Sequence, residues 1–498
     1  MSATFTVAQE RGFNRTHTTN GCVAHKSTMD SVLDLFVKLP VSEPDQAKQL
    51  FAAAWAVQPE LALRVLFYAR DIRGGQGRRA VFRTVLSDLA TSESSLVERL
   101  LPLVAEYGRY DDLLCLEGTP VWDSVLHYVQ VQLEADMDAL LAGEHVSLLA
   151  KWLPSANASC RDTRRLAKAI CSYLGWTERE YRKSIVPLRT HLRIVEQAMC
   201  AQQWDTIDYS SVPSKAMHRY RNSFRQHDGE RFQGFLDAVS RGEQTINSST
   251  LYPHELVLPY LENMWSMETT TTTANDAVLD LQWSSLPNYM ADKPFKGLVV
   301  ADVSGSMFCN GNLPIANSIA LAMYIAERND CEAFRNKFLT FSQSPSLQSV
   351  TGSTLGERVR NLSQADWGMN TDLGLVFASI LENAKRYEVS PADMPESLII
   401  VSDMQFDRCV THDDTALDDI KRQYADAGYT TPHVVFWNVA GTTNVPMTIH
   451  ESGATLVSGY SPSILTAVLG GATTPQDLLD AAVNCERYDA IGRAYRGS

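Results

Sequence analysis

The spacing of apolar residues divides the chain in two. From about residue 29 to 265 they recur at helical intervals, as in "PDQAKQLFAAAWAV" and "PELALRVLFYARD". Pro44 and Pro59 open these two segments, where a missing amide costs least. The second segment is apolar on nearly all sides (Leu61, Leu63, Val65, Leu66, Phe67), which predicts a helix buried between neighbours. "RRAVFRTVLSDLA", "SLVERLLPLVAEY", "VWDSVLHYVQVQLEADMDALLA" and "PLRTHLRIVEQAM" continue the pattern. Helix after helix with short breaks and no strict repeat predicts a HEAT-like α-solenoid of irregular hairpins, or else a compact helical domain.

After about residue 294 the period changes. Short apolar runs, "GLVVAD", "KFLTF", "SLIIVSD" and "HVVFWNVA", alternate with amphipathic stretches such as "PIANSIALAMYIAE" and "DLGLVFASILENAKR". Buried strands alternating with helices predict a parallel or mostly parallel, doubly wound α/β sheet. "ATLVSG" and "SPSILTAVLG" add a strand and a helix. Between the halves, "METTTTTANDA" is low in complexity and reads as a linker or surface loop. The expected organisation is a helical domain over 1–266, a connecting segment over 267–293 and an α/β domain over 294–498.

A length of 498 residues agrees with two or three domains. Apolar residues at 45% can fill sizeable cores without staples. The 44 Lys+Arg against 58 Asp+Glu give a net charge of −14, which disfavours nucleic-acid binding over the whole surface but not at a local patch. Nine scattered cysteines include no C-x-x-C pair, so neither a disulfide framework nor a zinc site is indicated. The N-terminus lacks the apolar core of a signal peptide and no stretch approaches a membrane span. The expectation is a soluble, cytoplasmic protein.

Candidate chemistry gathers at strand ends. "GLVVADVSGSM" delivers Asp302, Ser304 and Ser306 to the carboxyl edge of a sheet, where ligands bind in open α/β folds. "SLIIVSD" delivers Asp403 to the same edge, and "GMNTDLGLVFASI" places Thr371 just before a helix. Two carboxylates and three hydroxyls without Cys or His suit a hard cation, Mg2+ or Mn2+ before Ca2+. The competing reading is local: Asp302 caps a helix and the serines decorate a turn.

These residues resemble the metal-ion-dependent adhesion site of von Willebrand factor A domains, over roughly 294–498. The resemblance implies a Rossmann-like fold in which Asp302, Ser304 and Ser306 are the Asp-x-Ser-x-Ser ligands. Thr371 matches the threonine of the second loop and Asp403 the aspartate of the third. It also implies that the cation keeps one position open for an acidic side chain of a protein partner. "SDM" stands where Ser-Asp-Gly is commoner, so Met404 is a departure in the third loop.

The phrases "TTNGCVAHKSTMDSVLDLF", "FYARDIRGGQGRR", "EYGRYDDLL", "LLAKWLPS" and "YRKSIVPLRTHLRIVEQ" resemble a poorly characterised Ro-like family, which joins a helical region to a terminal von Willebrand A domain. That architecture is similar to the Ro autoantigen, with its TROVE module, and the likeness implies binding of small RNA by the helical half.

Unaided, the residues offer two basic features. "RDIRGGQGRR" sets Arg70, Arg73, Arg78 and Arg79 around a glycine turn before a helix, a candidate phosphate contact without the Walker A pattern. The alternative is a tight turn whose arginines pair with Asp71 and other acids. Residues 151–230 hold 14 Lys+Arg against 8 Asp+Glu, while 301–498 carry −10. Lys151, Arg161, Arg164, Arg165, Lys168, Arg182, Lys183, Arg189 and Lys215 could line an RNA-binding face, with Trp152 or Tyr181 as stacking surfaces. The alternative is a solvated helical surface with ordinary ion pairs. His17 and His25, flanking "TTNG", read as turn or capping residues, and Trp55 and Trp265 as core or interface anchors.

The expected function is therefore non-enzymatic binding of small RNA, with an acidic protein ligand at the cation. A metal-dependent scaffold without RNA is the alternative. Catalysis has little support, because Asp403, Asp372 and Asp407 each have a better structural role.

Overall fold

β-Strands β3 (Gly297–Ala301), β6 (Ser397–Ser402), β7 (His433–Asn438) and β8 (Ala454–Ser458) are buried almost throughout, as a parallel sheet covered on both faces requires. The computed structural model describes residues 13–265, 276–291, 294–341, 345–363, 371–407, 416–441, 444–448 and 454–497. Among them lies a six-stranded sheet of order β5-β4-β3-β6-β7-β8, where β4 is Lys337–Thr340 and β5 is Leu347–Ser349. All pairings are parallel except β4 with β5. In chain order this is the doubly wound arrangement, reversing direction between the adjacent strands β3 and β6.

The chain forms two compact units, and they are not consecutive segments. One comprises 1–68, 74–76 and 248–485; the other comprises 69–73, 77–247 and 486–498. Three helices, Ser31–Lys38, Pro44–Trp55 and the bulk of Pro59–Arg70, thus group with the sheet rather than with the helices that follow them. In this α/β unit the helix Leu313–Glu327 is apolar all round and buried from Pro314 to Ala326, with β3 and the helix Pro253–Trp265 against it. A short hairpin, β1 (Arg15–His17) and β2 (Val23–His25), precedes these helices. His17 and His25 are therefore strand residues rather than turn or cap residues. His25 also pairs with Val445 through two backbone hydrogen bonds of 2.8 and 2.9 Å. Trp55 stacks on Phe51, while the side chain of Trp265 and most of the threonine-rich segment lie outside the described residues.

The second unit is helical, with neighbours in sequence packed as pairs, such as Arg79–Ser92 with Ser94–Tyr107 and Ser214–His227 with Gly229–Ser240. Leu126, Val129, Leu133, Ile170, Tyr181, Ile185 and Leu188 fill one core. The carboxyl-terminal segment belongs here through Asp71, which is fully buried. Arg487 reaches both its oxygens, with Nη2 at 2.7 Å from Oδ1, and the Tyr488 hydroxyl donates to Oδ2 at 3.0 Å. That charge-assisted bonding raises the Arg487 guanidinium above its ordinary range.

Candidate metal centre and basic surface

Asp302 follows β3 and Asp403 follows β6, so the two carboxylates stand at the carboxyl ends of the strands where the sheet reverses. They are 0% and 5% exposed, and neither makes an ion pair among the described residues. Asp302 is held from two sides: the Ser304 amide donates to Oδ1 at 2.9 Å and the Ser402 hydroxyl to Oδ2 at 2.6 Å. Burial, and after it the Asp403 charge, raises the Asp302 carboxyl to about 6 despite these bonds. Ser304 Oγ lies 3.1 Å from Ser306 Oγ, with Ser304 buried and Ser306 exposed. The Asp-x-Ser-x-Ser loop runs into a short 3-10 turn (Gly305–Met307), so the serines do sit at a turn, but Asp302 caps no α-helix.

Thr371 is buried and held by the third loop. Its amide donates to Asp407 Oδ2 at 2.7 Å and its hydroxyl donates to the Gln405 carbonyl at 3.1 Å. Asp372 caps the helix Leu373–Arg386 by accepting from the Leu375 amide. Asp407 and Asp372 thus have the structural roles expected for them. Met404 adopts φ +63°, a left-handed conformation that glycine takes without cost, and its amide donates to Ser402 Oγ at 3.0 Å. The departure in sequence keeps a glycine-like backbone.

Sequence reasoning missed Ser402, Gln405 and Asn20. Ser402 stood beside Asp403 in "IVSDM", one residue before the carboxylate, a position with no local sign of its contact to Asp302.

Asp302, Ser304, Ser306, Thr371 and Asp403 supply only oxygen donors, in keeping with a hard cation. Two buried carboxylates with no positive partner among the described residues are what a bound cation would neutralise. No group of three or more His, Cys, Asp or Glu with metal-binding proximity occurs among the described residues, so hydroxyls would have to complete any such shell. The eight described cysteines are free.

In the helical unit the candidate basic residues separate into engaged and available. Arg70 is 2% exposed and lies against Asp112, with Nε 2.8 Å from Oδ2; it cannot reach a surface phosphate. Gly108 fits beside this pair because a Cβ there would collide with the Asp112 carboxylate. Arg73 donates to the Glu106 carbonyl at 2.8 Å, and Arg79 is 3.6 Å from Asp111, its guanidinium lowered by burial and by Arg109 and Arg83. Arg78 begins the helix Arg79–Ser92 without a side-chain cap bond. Arg189 bonds the carbonyls of Ala150 and Leu153, and Arg164 those of Ala158 and Ser159. Arg165 pairs with Glu117 and Lys168 with Glu178. Lys151 lies over Trp152, whose ring also receives Arg109 at 4.1 Å. Tyr181 is a core residue whose hydroxyl donates to the Pro154 carbonyl, so it offers no stacking face. Lys215 is exposed on the helix Ser214–His227. Arg161, Arg182 and Lys183 are exposed with no hydrogen bond or ion pair among the described residues, and Arg179 beside them is alike.

Two family models match parts of the chain. One, described as a domain of unknown function (DUF2828), matches residues 18–92 and 121–294, together half the chain. The chain belongs to the DUF2828 family. The other, also a domain of unknown function (DUF7788), matches residues 296–489 and begins at β3. Among curated proteins the chain is similar to "Uncharacterized protein L728" of Acanthamoeba polyphaga mimivirus, 29% identical over 502 positions, covering 92% of this chain and 85% of that protein. Among solved structures it is similar to the RO (RSR) protein of Deinococcus radiodurans, at 15% identity and a TM-score of 0.47, covering 92% of this chain and all of that one. No described helix of this DUF2828 member is long and apolar enough to cross a membrane.

Proposed function

We propose that the α/β unit is a von Willebrand A-like binding module dependent on a divalent cation. Asp302, Ser304, Ser306, Thr371 and Asp403 would hold Mg2+ or Mn2+, and the bound cation would supply an electrophilic position for the carboxylate of an acidic protein ligand. The observation that carries this reading is the pair of buried carboxylates Asp302 and Asp403 at the sheet's reversal point, neither of which meets a positive partner among the described residues. Ser402 and the Ser304 amide orient Asp302, while Asp407 and Gln405 fix Thr371, so the donors are set in place by other bonds. Binding, not catalysis, suits the site, since the adjacent acids Asp372 and Asp407 are engaged as helix cap and backbone clamp. Calorimetric titration of the full chain with Mg2+ and Mn2+ tests it. One cation per chain, lost in Asp302→Ala, is expected; no uptake by the parent protein sinks the reading.

A second reading concerns the helical unit, which we propose contacts small RNA through Arg161, Arg179, Arg182 and Lys183. The supporting observation is that these four are exposed and make no ion pair or hydrogen bond among the described residues, with only the exposed Glu180 near Lys183, while most other basic residues of the stretch are engaged. Purification without nuclease, followed by extraction and sequencing of bound nucleic acid, tests it; a protein free of RNA leaves the metal-dependent scaffold as the function.

A further inference from the structure

The turn between β1 and β2, "HTTNGC", lies far from the cation ligands in sequence and beside them in the α/β unit. Gly21, at φ +87°, closes it by donating its amide to the Thr18 carbonyl at 3.0 Å. The closed turn then grips the loop that follows Asp403. The Thr18 hydroxyl donates to the Phe406 carbonyl at 2.6 Å, the Thr19 amide donates to Gln405 Oε1 at 2.7 Å, and Gly21 forms an antiparallel bridge with Asp407. Gln405 itself donates its amide to Asp403 Oδ1 at 3.0 Å.

Asn20 is the turn residue that touches a candidate ligand. Its side-chain amide donates to the Gln405 carbonyl at 2.8 Å and to Thr371 Oγ1 at 3.3 Å. A hydroxyl has one proton to give and two lone pairs to offer. Thr371 gives its proton to the Gln405 carbonyl and takes a proton from Asn20, so one lone pair is left. A cation needs that one. Without Asn20 the hydroxyl has two free lone pairs and a single bond to fix its rotation.

We propose that Asn20 is a positioning residue of the cation site, through which the amino-terminal hairpin sets the Thr371 hydroxyl and is itself tightened when a cation is held. The proposal rests on the cation reading above. It adds a fourth segment to the three loops and makes the hairpin a reporter of occupancy: Thr18, Thr19 and Gly21 bind the loop that follows Asp403, and Asn20 binds both that loop and Thr371. Partners that fix the orientation of metal ligands typically contribute 10–100-fold in metal affinity.

The test compares two hairpin variants of the full chain. Asn20→Ala removes the bond to Thr371. Asn14→Ala removes the bonds of 2.9 and 3.0 Å that close the far end of the hairpin on Ser27, and leaves Thr371 untouched. Mn2+ affinity is read by calorimetry, and amide hydrogen exchange over residues 15–25 is read with and without Mn2+. We expect the affinity to fall about 10–100-fold in Asn20→Ala and to hold within about threefold in Asn14→Ala. Exchange over the hairpin should slow on adding Mn2+ in the parent and not in Asn20→Ala. If Asn20→Ala binds as tightly as the parent, or Asn14→Ala loses as much, Asn20 only anchors the hairpin and the proposal fails while the cation reading stands. A parent protein that takes up no Mn2+ overturns both.

Discussion

The Ser402 hydroxyl donates a 2.6 Å hydrogen bond to Asp302, tying the last residue of β6 to the residue that follows β3 across the point where the sheet reverses. The same oxygen accepts the amide of Met404, so one buried hydroxyl sets both the carboxylate and the left-handed turn of the third loop. Ser402→Ala leaves Asp302 Oδ2 and the Met404 amide short of a partner. Stability should fall by about 1–3 kcal/mol in urea denaturation, and Mg2+ affinity by about 10–100-fold. Unchanged Mg2+ affinity would mean that the orientation of Asp302 does not depend on Ser402.

The raised Asp302 carboxyl gives stability a pH dependence with a definite sign. Folding lifts this group to about 6, above the ordinary carboxylate range, so the folded chain holds the proton more tightly than the unfolded chain. Its contribution to stability is then fully present below about pH 4 and is lost as pH rises through about 6. With chelator present, Asp302→Asn should be more stable than the parent near pH 7, by on the order of 1–3 kcal/mol, and the gap should close toward about pH 4. Saturating Mg2+ should stabilise the parent and leave Asp302→Asn unmoved. A less stable Asp302→Asn in chelator near neutral pH would show that the carboxylate is already compensated.

Met404 carries two opposed contributions. A left-handed conformation costs a residue with a Cβ roughly 1 kcal/mol relative to glycine, while its side chain is buried and stabilises by about 2–3 kcal/mol. Met404→Gly should therefore be destabilising by about 1–2 kcal/mol, measured by urea midpoint, with cation affinity close to that of the parent. A net gain in stability would mean that backbone strain outweighs the packing.

The alternation of strand and helix after residue 294, and the placing of Asp302 and Asp403 on one sheet edge, were legible because each rests on a contiguous stretch: a strand of five or six residues with an unbroken apolar centre, followed at once by a carboxylate. The hairpin was not. β1 and β2 are three residues each, too short for a period to register, and Asn20 meets Thr371 only through a fold that brings together residues 351 positions apart. Arg70 failed for a related reason. The glycine turn beside it is a local signal, but its partner Asp112 lies 42 positions on, in a 3-10 segment (Tyr110–Leu116) that carries no helical period.

Arg70 and the pair Arg182 and Lys183 separate what basic residues do in the helical unit. Asp112 is fully buried, and Arg70 shares it with Arg83, whose Nε lies 2.6 Å from Oδ1. Removing Arg70 leaves a buried carboxylate with one cation where it had two. Arg70→Ala should cost about 3 kcal/mol, read as a lower urea midpoint, with RNA affinity per folded molecule unchanged. Arg182 and Lys183 are exposed and make no ion pair among the described residues, so replacing both with alanine should leave stability within about 0.5 kcal/mol. If they face RNA, that double variant binds more weakly, and the dependence of log affinity on log salt becomes shallower by about 0.7–0.9 for each charge removed. Were RNA affinity to follow the folded fraction in both variants alike, the exposed cations would be ordinary solvated charges and RNA would be held by other residues.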